Sequence, residues 1–365
     1  MVNLFFKKII ILGISILIGI VLLEAALRLT NGPNRINIVK FDERTYTANR
    51  PNVEGYVRTD EFYFNVKINS LGLRDYERYY EKNKSLNRIY FAGDSFTFGE
   101  GVELEQTFVK IIEKKLENVE TINTGVPGWD TTQELIFLKE NGFKYKADTI
   151  VLVIFLNDIP ANIRGLYYIE NGSLIRNYTF IGKIPLTYKI RSYLSAKSYL
   201  YKTFSERINR QNKLIKLFIN EGEPKPIEIS SQYEIFTNLE NNKTKTYWEK
   251  TEMLIIEMRD FVEKKLGKNF ITVIIPYQEQ VYSNQQYKIQ EYADSNNYKI
   301  DIHKPQEKLT KILTKEDIEY IDLLPYFKEN NNTQLYFSYD GHMNAKGHNL
   351  TAEILIKFFE LEEIV

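Results

Sequence analysis

The chain has 365 residues, 43% of them hydrophobic and 26% charged, enough to bury one substantial core or a core with a modest insertion. Lys plus Arg equals Asp plus Glu at 48 each, so the protein as a whole offers no attraction to a polyanion, and nucleic acid is not an expected partner. Cysteine is absent, which excludes disulfides, thiolate metal ligands and a cysteine nucleophile and is neutral as to compartment.

At the N-terminus, Lys7 and Lys8 precede an apolar run from Ile9 to Leu23, interrupted only by Gly13, Ser15 and Gly19. Carried on through Ala25, Ala26 and Leu27, with Glu24 as its one charge, the run approaches the roughly 20 residues a helix needs to cross a bilayer. A cleaved signal peptide is the rival reading, but Glu-Ala-Ala-Leu-Arg after Leu23 offers no A-x-A site. Residues 1–30 are therefore expected to be a single-pass anchor that holds the rest of the chain outside the cytoplasm. That orientation rests on the signal-like character of the segment, because Arg28, Arg35 and Lys40 balance Lys7, Lys8 and the amino terminus.

Residues 31–84 are polar and punctuated by Gly32-Pro33 and Arg50-Pro51, which reads as a linker and an irregular lead-in, with a strand or two suggested by alternation from Phe62 to Ile68. Residues 85–365 then alternate short β-branched runs with helical patterns. Strands are expected at Arg88 to Gly93, Glu120 to Thr124, Thr149 to Leu156, Phe270 to Pro276 and Tyr320 to Leu324. Helices are expected at Gln106 to Leu116, Thr131 to Asn141, Tyr247 to Leu266, Lys304 to Leu313 and Asn344 to Glu360. The rhythm implies an α/β fold, a three-layer α/β/α sandwich on a five-stranded parallel sheet. Residues 159–245 break it and are too long for a loop, so they form an insertion with a helical stretch near Thr187 to Asn212. Its tyrosines either pack it onto the sheet or form a lid that stacks on substrate.

The chemistry concentrates where strands end. Gly93-Asp94-Ser95 follows the first of them, so Ser95 stands at the carboxyl edge, where open α/β sheets bind ligands. A serine hydroxyl needs a base, and imidazole is the side chain best matched to that task. His342, in Asp340-Gly341-His342, precedes the final helix, and Asp340 can hold its tautomer. The competing reading of this segment is a plain turn with Asn344 as helix N-cap. His348 reads as structural and His303 as surface. Gly128, after the second strand, and the Asn157 amide, after the third, could donate to an oxyanion. Three histidines and no acidic cluster at ligand spacing imply neither metal nor cofactor.

The order Ser95, Gly128, Asn157, Asp340 with His342, each following a strand, resembles the SGNH (GDSL-like) hydrolase superfamily from about Arg88 to Phe359, outside the insertion. The resemblance implies a flavodoxin-like sandwich, Ser95 as nucleophile, an oxyanion hole of the Ser95 N–H, Gly128 and Asn157, and a triad completed by Asp340 and His342. Two positions depart from the family pattern. Phe155 replaces a glycine two residues before Asn157, which would narrow the pocket, and a single residue separates Asp340 from His342 where two are usual. The Asp-x-His spacing and the anchor also look like the alginate O-acetyltransferase branch, in which the pair precedes the serine instead of following it. The functions implied are hydrolysis of a small-molecule, lipid or glycan acyl ester, then acyl transfer to an exported polysaccharide, then non-catalytic binding of a glycan by an anchored scaffold.

Overall fold

The structure is a computed structural model that describes residues 2–30, 38–163, 165–171, 173–177 and 229–364, with a few single positions between 190 and 201. The expected helix near Thr187 to Asn212 lies almost wholly outside the described residues.

Helix α1 (Val2–Thr30) contains a span, Phe6–Leu29, of 24 residues and mean hydropathy 2.7. At 1.5 Å per residue it covers about 36 Å, long enough and apolar enough to cross a membrane. Its leucines and isoleucines are exposed along the span. An apolar surface of this extent is not stable in water, so the helix needs lipid or a partner.

The lead-in is not irregular. Strands β1 (Val39–Asp42) and β2 (Tyr46–Asn49) form one antiparallel hairpin, and β3 (Val53–Arg58) and β4 (Tyr63–Ile68) form another. In β4 every second residue is buried, with Phe64, Val66 and Ile68 on the inner face. Hydrogen bonds tie both hairpins to residues 103–133. From the first, Asn49 donates to Gly125 O at 3.2 Å, while Trp129 Nε1 donates to Thr47 O at 2.8 Å and Gln133 Nε2 to Thr45 O at 3.2 Å. From the second, the Asn65 N–H donates to Glu103 Oε1 at 3.0 Å. Sequence reading missed three of these four strands because polar, half-exposed hairpins lack an apolar run long enough to register.

The main sheet takes β5 (Asn87–Ala92), β6 (Val119–Asn123), β7 (Thr149–Phe155), β10 (Asn269–Ile275) and β11 (Glu319–Asp322), all parallel, in the spatial order β6-β5-β7-β10-β11. Counted along the chain this is 2-1-3-4-5, the flavodoxin-like order. Every residue of β7 is buried, as a central strand covered on both faces requires. Strands β8 (Tyr167–Glu170) and β9 (Ser173–Arg176) form a separate hairpin at the start of the insertion, after the short helix α5 (Asp158–Ala161). Helices α3 (Phe108–Lys115) and α11 (Ala345–Leu361) pack together, as do α4 (Thr131–Glu140) and α6 (Asn242–Asp260). Helix α9 (Lys304–Lys315) stands where the sequence predicts one, and the short α10 (Leu324–Glu329) follows β11.

A buried guanidinium joins the lead-in to the sheet. Arg74 donates to Phe98 O at 2.9 Å, Gly99 O at 2.6 Å, Val102 O at 2.6 Å and Asn65 O at 3.2 Å, and stacks between the rings of Phe64 and Phe98. Burial pushes its pKa down to about 9, with Glu103 and Glu100 opposing, so it remains charged at neutral pH. Next to it, Asp75 accepts from the Asn123 N–H at 2.8 Å and pairs with Arg78 and Lys110. Removing a buried cation leaves carbonyl acceptors without donors, each costing about 1–3 kcal/mol. Arg74→Met is therefore expected to lower stability by about 3 kcal/mol. Urea unfolding of the detergent-solubilised chain checks this, and an unchanged midpoint would show that the lead-in is a dispensable strap.

Candidate active site

Ser95 owes its position to the end of β5. The chain leaves the strand at Gly93, where a Cβ would lie 2.1 Å from Thr97 Oγ1 and 3.2 Å from Val153 O, so no other residue admits this close approach. Asp94 then caps the short helix α2 (Ser95–Phe98), its Oδ1 accepting from the Phe96 N–H at 2.8 Å. The serine N–H falls in the first turn, where helix geometry leaves donors without intrahelical acceptors. In the 2-1-3-4-5 order, β5 and β7 flank the point at which the strand order reverses, and Ser95 follows the first of them while Asn157 follows the second.

The imidazole arrives on a loop between Tyr336 and Met343, which are bridged as an antiparallel pair. Gly341 at its tip has φ of 87°, a left-handed conformation that side chains resist. Glu61 of the lead-in clamps the loop, its Oε2 accepting from the backbone N–H groups of Tyr339 at 2.9 Å and Asp340 at 2.6 Å. The Asn344 side chain caps α11 immediately afterwards, so the turn reading and the contact with Ser95 hold together.

His342 Nε2 lies 2.7 Å from Ser95 Oγ, and its Nδ1 is hydrogen-bonded to Asp340 Oδ1. With one residue between them, the carboxylate still reaches the ring. Asp94 Oδ2 is also near Ser95 Oγ, at 3.5 Å, the limit for a hydrogen bond, so the imidazole is the stronger acceptor for the hydroxyl proton. Burial drives the Asp94 carboxyl up to about 6.

Burial alone would lower the pKa of His342. The hydrogen bond to Asp340 and the negative charges of Glu100, Asp340 and Asp94 outweigh it, and the imidazole is raised above the ordinary histidine value. Asp340 moves the other way, since its bond to His342 overcomes the desolvation that would raise it. Glu100 Oε2 is 3.9 Å from His342 Nε2.

His342 and Asp340 line a cleft of about 440 Å³, within the range that holds small-molecule ligands. Asn157 lines it with His342 and Asp340. Phe155 lines it too, its ring 4.1 Å from that of Phe96 and 4.4 Å from that of Tyr277, so it forms an aromatic wall. Gly128 stands in the loop after β6. It is exposed in that loop, with φ of 80° and open space where a Cβ would be. His348 is buried, accepts from the Phe108 N–H at 3.3 Å and is pushed down to about 3 by burial, while His303 is exposed. Among the described residues no group of histidine and carboxylate side chains could hold a metal ion.

Glu61, Glu100 and Glu279 escaped the sequence reading. Each is an ordinary polar residue in its own segment, and nothing local distinguishes it from a solvated one.

No family model matches the chain, and no curated protein matches it. Solved structures to which it is similar include a member of the lipolytic protein G-D-S-L family from Veillonella parvula DSM 2008, at 16% identity and TM-score 0.37 over 75% of this chain and 98% of that one. Another is a catalytic mutant of an acetylxylan esterase from Geobacillus stearothermophilus, at 15% identity and TM-score 0.40 over 76% and 95%. A third is the lipase/acylhydrolase from Enterococcus faecalis, at 16% identity and TM-score 0.39 over 76% and 97%. Superpositions this loose add no weight to the site, which stands on the distances within the chain itself.

Because Glu100 favours the protonated ring, Glu100→Gln should lower the His342 titration midpoint, which in the unaltered protein should exceed the ordinary value of roughly 6.5. Imidazole nitrogen chemical shifts followed against pH test both statements. A midpoint that Glu100→Gln leaves in place would mean that the carboxylate is screened from the ring.

Proposed function

We propose that this chain is a membrane-anchored serine ester hydrolase of the SGNH type, with its catalytic part outside the cytoplasm. The observation that carries the proposal is the 2.7 Å contact between Ser95 Oγ and His342 Nε2, with Asp340 on the opposite ring nitrogen. The span Phe6–Leu29 supplies the anchor, and the signal-like N-terminus supports the outward orientation.

Ser95 Oγ attacks the ester carbonyl carbon as His342 Nε2 takes its proton. The imidazolium so formed faces Asp340 and Glu100, whose charges stabilise it in the transition state. Negative charge moves to the carbonyl oxygen, where the Ser95 N–H and the Asn157 side chain donate. The Gly128 N–H, in the loop after β6, is the proposed third donor. The intermediate collapses when the bond from carbon to the alcohol oxygen breaks, and His342 returns the proton to the departing alcohol. Water then attacks the acyl-serine, His342 takes a proton from it, and that proton passes back to Ser95 Oγ as the carboxylic acid leaves. The net reaction is ester plus water to acid plus alcohol.

A fluorophosphonate should label the protein at Ser95, and p-nitrophenyl acetate should be hydrolysed. Ser95→Ala should abolish labelling and reduce kcat by at least about 10³-fold. Because only neutral imidazole accepts the proton, kcat/KM should rise with pH through the titration of His342, on a limb placed above that of an ordinary histidine. Absence of labelling in the unaltered chain would point instead to an anchored binding protein on a hydrolase scaffold.

A further inference from the structure

The cleft that holds the imidazole also carries a carboxylate whose place in hydrolysis is not explained by the triad. Glu279, on the short helix α7 (Gln278–Val281), is 3% exposed and lines the cleft. Its Oε1 lies 3.3 Å from Lys288 Nζ, on α8 (Tyr287–Ser295), and 3.4 Å from Tyr233 Oη. Its Oε2 is buried and has no hydrogen-bond partner among the described residues. Gln278, Gln232 and Tyr277 line the same cleft.

A buried carboxylate oxygen without a donor costs free energy, so such an atom marks the place of a ligand donor. Lys288 already balances the carboxylate charge, which removes the advantage of a cationic ligand and leaves a neutral O–H as the fitting donor. The neighbouring amides can both accept and donate, as a hydroxyl does. The rings of Phe155 and Tyr277, packed against each other, line the cleft beside these polar groups. Hydrogen-bonding groups next to an apolar lining suit a pyranose, which carries both hydroxyls and C–H groups.

We infer that Glu279, held by Lys288, forms a hydroxyl-binding subsite that selects esters of neutral sugars or other polyols, the free hydroxyls beside the ester bond donating to Glu279 Oε2. This inference rests on the hydrolase reading given above and names the alcohol part of its substrate. Glu279 is a specificity-determining residue, since no reacting atom touches it.

The test measures kcat/KM of the full chain in detergent on methyl 6-O-acetyl-glucopyranoside and on cyclohexylmethyl acetate, which presents the same kind of ester without hydroxyls. Glu279→Leu should lower the value for the sugar ester about 10–100-fold more than for the cyclohexyl ester, and Glu279→Gln, which keeps an acceptor, should lower it less. Equal losses on both esters overturn the subsite. Should the leucine variant fail to fold, the glutamine variant decides, since it too must penalise the sugar ester selectively. An unaltered protein that cleaves p-nitrophenyl acetate and cyclohexylmethyl acetate but not the sugar ester overturns the subsite and leaves the hydrolase reading standing. If none of the three is cleaved and Ser95 resists fluorophosphonate, the hydrolase reading falls and the subsite with it.

Discussion

A serine hydroxyl gains nucleophilic character only while a base can take its proton, and here the proposed base comes from 247 positions further along the chain. The contact between Ser95 and His342 therefore constrains the whole architecture. Strand β5 must deliver the serine to the carboxyl edge of the sheet, the helices must return the chain to the same edge, and the loop carrying His342 must be held still. Each of these conditions is met by a separate set of forces: β5 and β7 by burial on both faces, the serine turn by the Asp94 cap and the closeness of Gly93 to Thr97, and the histidine loop by Glu61.

The last of these conditions ties the lead-in to the candidate site. Its first hairpin bonds to the loop after β6, Arg74 binds three carbonyls around the end of α2 and a fourth, Asn65 O, in β4, and Glu61 holds the backbone beside Asp340. Serine and histidine are thus braced from the same segment. A charge inside a protein is costly unless hydrogen-bonded, and Arg74 offsets its desolvation by donating to carbonyls around the left-handed turn at Gly99. Along the chain these residues stand between the apolar N-terminal helix and the sheet, so the segment is structural and positional together.

Electrostatics in and beside the cleft are arranged in two groups. Around the imidazole, Asp340, Glu100 and Asp94 all favour the charged ring, the species that proton transfer from the serine would create. Beside Glu279, Lys288 cancels the carboxylate charge and leaves a polar surface without net charge. The first group suits a reacting centre, where charge develops, and the second suits the recognition of a neutral alcohol. Phe155, standing where the resembling family has glycine, joins the rings of Phe96 and Tyr277 into one continuous aromatic wall of the same cleft.

By itself the sequence determined the parallel α/β sandwich, the long apolar N-terminal helix, and the positions of Ser95 and His342 after strands, because apolar period, Gly-Asp turns and caps are signals written within a dozen residues. Boundaries of the five sheet strands fall within one or two residues of those expected from runs such as Thr149 to Leu156. Tertiary structure alone decided that residues 39–68 are hairpins, that Glu61 and Glu100 serve the histidine, that Gly128 is exposed in its loop and that Glu279 lines the cleft. The physical reason is that such roles depend on which distant backbone groups and charges come within about 3–4 Å. A glutamate bound to a remote backbone N–H and one bathed in water have the same local sequence pattern.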